Sequence, residues 1–140
     1  MRVLGFAFDK IHVEKMKNQY QDLKVSTKMD LVDITELKPE MFKTKEELLN
    51  IKFSFSLDYS PEVAKIEFTG AIVISVDSKL SKEVLKKWKD KQVSDDFRLT
   101  VFNLVLKKAT LRALRLEEEM NLPLHMQLPS LRKEQEDLKV

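Results

Sequence analysis

Between Asn50 and Asp77 the chain alternates apolar and polar residues with a period of two, and it does so twice. Ile51, Phe53, Phe55, Leu57 and Tyr59 take every second place, with Lys52, Ser54, Ser56 and Asp58 between them. A side chain points to opposite faces at successive positions of a strand, so this run has one buried and one wet face. Ser60-Pro61 turns the chain. Ile66, Phe68, Ile72 and Ile74 then mark one face of a second strand. Gly70 stands where that face would carry a side chain, which signals a bend or the close approach of another backbone. Ala71 and Val73 make the opposite face apolar too, so this end of the strand is expected to be covered on both sides.

Two further strands precede this pair. In "LKVSTKMDLVDITEL" the apolar places are Leu23, Val25, Met29 and Leu31, and the phase then slips by one to Val32 and Ile34. In "VLGFAFDKIHVEKM" Phe6 and Phe8 share a parity, and Ile11 and Val13 take the other. A β-bulge, one extra residue in a strand, produces such a slip. Four strands in succession with no helices between most of them predict an antiparallel sheet. The segment "ELKPEMFKTKEELLN" between the second and third is expected to be a long connection with one short helical turn.

The pattern changes near Ser81, the expected N-cap of a short helix with Val84, Leu85 and Trp88 on one side and lysines elsewhere. A long helix runs from Ser94 to Asn121. Ser94 suits the cap, and Asp95 and Asp96 suit the positive end of the helix dipole. This helix is apolar on two sides. Leu99, Phe102, Leu106, Ala109, Ala113 and Leu116 form one stripe; Phe97, Val101, Leu104, Leu111 and Leu114 form another. One stripe can pack on the sheet, and the other needs a second partner. Asn121 ends the helix and Pro123 stops it restarting. Leu122, Leu124, Met126, Leu128 and Leu131 then lie in chain that must be extended. Extended chain so rich in apolar side chains either folds back over its own domain or reaches onto a neighbour. The fold class is therefore α+β: a four-stranded antiparallel sheet packed by a short and a long C-terminal helix. Residues 1–131 make a single domain and 132–140 a charged tail.

Chemistry-bearing groups are few. Cysteine is absent, and the two histidines, His12 and His125, are far apart in sequence. Three or four converging ligands make a metal site, and the default for each histidine is a structural or surface role. No glycine loop of the phosphate-cradling kind occurs. Glu117-Glu118-Glu119 reads as a solvated helix end rather than an acid–base pair. Carboxylates there oppose the helix dipole, a conflict that a basic residue of a neighbouring segment would relieve. These residues imply no enzyme, no cofactor, no metal and no small-molecule substrate. No apolar run approaches the ~18 residues of a membrane helix, and the N-terminus makes a poor signal peptide, so a cytoplasmic protein without membrane insertion is expected.

Charge is distributed unevenly. The net charge is +2, yet residues 79–115 hold eleven basic and four acidic side chains. Lys79, Lys82, Lys86, Lys87, Lys89 and Lys91 surround Trp88; Lys107, Lys108, Arg112 and Arg115 follow. The residues alone leave two readings open: a solvated helix face, or contact with phosphates of structured RNA through Lys86, Lys87, Lys89, Lys107 and Lys108. For the second apolar stripe and the tail leucines, three readings stand: self-association, packing within the chain, and capture of foreign unfolded polypeptide.

The order of elements, with "FDKIHVEK", "KIEFTGAIVI" and "FNLVLKKATLRALRLEEEMNLPLHMQLPSL", resembles the SecB-type export chaperones, and most of all the SecB-like proteins of archaea. The resemblance spans about residues 2–131. It implies a dimer or dimer of dimers. It also implies the holding of non-native or nascent polypeptide along apolar grooves without ATP. The polypeptide or oligomer surface would then comprise Phe97, Val101, Leu104, Leu111, Leu114, Leu122, Leu124, Met126 and Leu128. The alternative is a structural protein of the ribosome that contacts ribosomal RNA through the basic helical region.

Overall fold

A computed structural model describes residues 1–38, 46–131 and 133. The elements are β1 (Arg2–Lys15), β2 (Lys24–Leu37), β3 (Glu47–Ser60), β4 (Ala64–Val76), α1 (Ser78–Trp88) and α2 (Asp95–Glu119). All strand pairs are antiparallel, in the order β1-β4-β3-β2. Strands β2, β3 and β4 follow one another as neighbours, and β1 lies beside β4, a Greek-key arrangement. The connection from β1 to β2 therefore crosses the ends of the two central strands. Met16 N and Lys17 N both donate to the Val63 carbonyl, at 2.8 and 3.2 Å, and fasten it there.

The central strands carry the core. Ile51, Phe53, Phe55, Leu57 and Tyr59 of β3 are buried on one face, beside Ile66, Phe68, Ile72 and Ile74 of β4. Each row continues sideways: Phe8 pairs with Gly70, Gly70 with Phe53, and Phe53 with Leu31. A Cβ on Gly70 would collide with the Ala7 carbonyl and come within 2.7 Å of Phe53 Cζ. The close backbone approach expected at this glycine is thus present. Both phase slips also have a structural counterpart. The β1–β4 register shifts between Phe8 and Lys10, and the β2–β3 register between Leu31 and Asp33. After the slips Val13 and Ile34 pack on the core, while Ile11 and Val32 stay exposed.

The short helix starts earlier than expected. Asp77, not Ser81, is its N-cap and accepts from Leu80 N at 2.7 Å, while Ser81 is buried inside the helix. A carboxylate directly after β4 takes up the free N–H groups one turn sooner. At α2 the expected cap holds, with Ser94 Oγ accepting from Phe97 N at 3.2 Å. The helical turn expected in the β2–β3 connection, and all of the charged tail except Lys133, lie outside the described residues. Among the described residues no helix is long and apolar enough to cross a membrane.

Candidate functional site

Helix α2 meets the sheet along a ridge of every fourth residue. Phe97, Val101, Val105, Ala109 and Ala113 are buried, joined by Leu116 and Glu117. This ridge draws on both stripes seen in the sequence. Phe97 and Val101, expected on an outward polypeptide-facing surface, are in the core, and so is Leu122. A helix wheel with apolar residues on two sides cannot choose its inner face; the ridge of i, i+4 residues that fits the twisted sheet does so. Leu104 and Leu114 are half-buried, while Leu111, Leu124, Met126 and Leu128 are exposed. Leu99 and Leu106 are exposed as well, Leu99 at 62% and Leu111 at 65% of their surface. A leucine left about half exposed forgoes roughly half of the about 1.5–3 kcal/mol that full burial would supply.

The end of α2 explains how the tail is aimed. Asn121 adopts a left-handed conformation with φ 54°. Leu122 N donates to the Glu117 carbonyl at 2.8 Å and Asn121 N to that of Glu118 at 3.3 Å, the paired bonds of a Schellman motif. Lys15 Nζ, reaching over from β1, donates to the carbonyl of Met120 at 3.1 Å. A cation is therefore present at the negative pole, where the three glutamates created a conflict.

One of those glutamates is not solvated. Glu117 is fully buried. Its Oε2 accepts from the Tyr59 hydroxyl and from His125 N at 3.1 Å, and its Oε1 lies 2.9 Å from His125 Nδ1. The Tyr59 hydroxyl also lies 3.0 Å from the Pro123 carbonyl. Burial first, then the neighbouring Glu117 carboxylate, holds the Tyr59 hydroxyl far above the ordinary tyrosine range. The sequence treated Glu117 as a solvated helix end. The one clue was the misplaced carboxylate, and its partners come from β3 and the tail. His125 thus has a structural role; His12 is exposed beside Glu14 on β1.

Anchored in this way, the tail runs back beside α2 and leaves an open groove of about 570 Å³. Asn103, Leu106, Lys107, Thr110 and Leu111 form one wall, and His125 and Met126 the other. On another flank of α2, a second groove of about 400 Å³ faces the sheet edge. Met29, Leu31 and Val32 of β2, with Trp88, Val93 and Phe102, supply its apolar lining, and Asp30, Lys91 and Arg98 its charges. Asp33 Oδ1 accepts from Trp88 Nε1 at 3.2 Å, and that bond, foremost, holds its carboxyl below the usual carboxylate range. Lys91 Nζ sits 4.9 Å over the Trp88 ring. Strand β2 is an edge strand, and among the described residues its outer backbone groups have no neighbouring strand. The sequence singled out neither Val32 nor Phe102 for this place.

The basic residues lie on two helices. Lys86, Lys87 and Lys89 are exposed on or next to α1, and Lys107 and Lys108 on α2, where Lys107 lines the tail groove. Among the described residues no group of three or more His, Cys, Asp or Glu side chains is arranged to hold a metal.

No protein-family model and no curated protein sequence matches this chain. A solved structure does: the Mycobacterium tuberculosis Rv1957 SecB-like chaperone in complex with a ChAD peptide from the Rv1956 HigA1 antitoxin. The two share 11% identity at a TM-score of 0.59, over 94% of this chain and 89% of that one. At that identity the likeness is one of fold, and the four-stranded antiparallel sheet with its two helices is SecB-like.

Proposed function

We propose that this protein is a non-enzymatic, SecB-like holder of non-native or nascent polypeptide in the cytoplasm. Extended apolar segments of the client lie in the grooves that flank α2. The observation that carries the reading is the tail groove, whose walls present Leu106, Leu111 and Met126 to solvent. A soluble chain that leaves such leucines exposed on its longest helix leaves them for something to cover. The second groove adds a different mode. An extended client beside β2 can pair with the free strand edge while its side chains enter the space before Trp88 and Phe102. The similar solved chaperone holds a peptide from an antitoxin, which supports polypeptide as the ligand class.

Self-association belongs to the same reading. Leu99 and Leu128 lie outside the tail groove and are exposed, and a second copy of the chain would cover them. The test is aggregation of a chemically unfolded client, followed by light scattering, with and without the protein. Suppression near stoichiometric amounts, lost in Leu106→Glu/Leu111→Glu, is the expected result. An unchanged aggregation rate with folded wild-type protein would overturn the proposal.

A further inference from the structure

Lys79, Lys82, Lys86 and Lys89 recur along α1 and its C-cap at intervals of three and four. At 100° per residue they fall within an arc of about 80° and span about 15 Å of helix axis. Ser81, Val84 and Trp88 are buried on another side of the helix, and all four lysines are exposed. Among the described residues none of the four forms an ion pair. Lys79 in the first turn of α1 faces the positive pole of the helix dipole, beside the Asp77 cap, and Lys86 in the last turn suits the negative pole. A row of four exposed lysines on one helix face with no ion-pair partner among the described residues is more than folding alone asks of this helix.

We propose that this row docks on the phosphate backbone of duplex RNA, one lysine to a phosphate. Phosphates of one strand follow at ~3.4 Å of axis in B-form DNA and closer together in an A-form RNA duplex, so about 15 Å spans at least four of them. An acidic protein fits less well. Protein interfaces are built around apolar and aromatic anchors and are poor in lysine, whereas the aromatic nearest this row, Trp88, is buried. Single-stranded nucleic acid fits less well too, because it needs an exposed aromatic to stack on. The choice of RNA over DNA rests on the proposed function: unfinished polypeptide is densest beside ribosomal RNA.

The test measures binding of a 20-base-pair RNA duplex, and a DNA duplex of the same sequence, by fluorescence anisotropy between 50 and 200 mM salt. The probes are wild-type protein, Lys82→Glu/Lys86→Glu, and the charge-matched control Lys107→Glu/Lys108→Glu. For four phosphate contacts the logarithmic salt slope is about −3 to −4, roughly a hundredfold loss of affinity over that range. The α1 variant is expected to bind RNA at least tenfold more weakly, the control less than threefold, and client holding by the α1 variant to be unchanged. No binding, an equal loss in both variants, or tighter binding of DNA would overturn the proposal. RNA binding that persists in a protein unable to hold clients would uphold this face and contradict the proposed function.

Discussion

His125 Nδ1 lies 2.9 Å from Glu117 Oε1, and both side chains are shielded from solvent, at 9% and 0% exposure. Between them they close the tail onto the last turn of α2. A buried carboxylate is costly unless its lone pairs are satisfied. Here Tyr59 and two nitrogens of His125 satisfy them, so the extended chain after Pro123 has one defined course. That course supplies a wall of the tail groove.

Glu117→Ala removes the acceptor, leaves the Tyr59 hydroxyl only the Pro123 carbonyl and strands the His125 backbone N–H. The expected loss is about 3 kcal/mol of folding stability, read as a lower denaturant midpoint. Glu117→Gln keeps one acceptor oxygen and is expected to lose about half as much. In both, limited proteolysis is expected to cut between residues 122 and 131 sooner than in the wild type. Equal protection of the tail in all three would show that the latch does not hold it.

Tyr59 yields a pH signature. Its folded-state ionisation is pushed up, and an unfolded tyrosine ionises near 10. A raised value contributes stability that is complete below the unfolded value and lost as pH climbs above it. The melting-temperature difference between wild type and Tyr59→Phe should therefore be flat from about pH 7 to 9 and shrink above about pH 10. A difference that grows with pH in that range contradicts the placement of this hydroxyl.

The two glycines make a matched pair. Gly70→Ala places a methyl against the Ala7 carbonyl and the Phe53 ring. Backbone cannot yield as a side chain does, so a loss of about 1–3 kcal/mol is expected from overpacking. Gly5→Ala meets nothing within 4 Å, and its expected effect is within about 0.5 kcal/mol of zero. Thermal unfolding of the two variants checks both. Similar melting temperatures would mean that β1 does not approach β4 as described.

Much of the fold was legible because strand patterns are local. The slips after Phe8 and Leu31 located two of the three register shifts, the third lying between Val3 and Gly5, and Gly70 located the tight crossing of β1, β4 and β3. Helix α2 was harder. Its residues are apolar on two sides, and only the ridge that fits the sheet decided that Phe97 and Val101 go inward while Leu99 and Leu106 face out. Leu122 was misjudged for a similar reason: the Schellman turn at Asn121 drives it into the core before the tail emerges. Glu117 left only the clue of a carboxylate at the wrong end of a helix, since its partners are 58 and 8 residues away. The α1 cap was misplaced by one turn because Asp77 and Ser81 are both good caps, and strand β4 ends at the first of them.

The central claim is that the apolar flank of α2 and the tail beside it hold extended polypeptide. Its most direct test is anisotropy titration of a fluorescent ten-residue peptide, rich in leucine and aromatic residues, against wild type and the surface variants Leu111→Glu and Met126→Glu. Neither substitution alters a buried side chain, so the melting temperatures should match. The account predicts saturable binding to the wild type and at least a tenfold weaker affinity in each variant. Binding of equal strength in all three proteins, or none to the wild type, would contradict it.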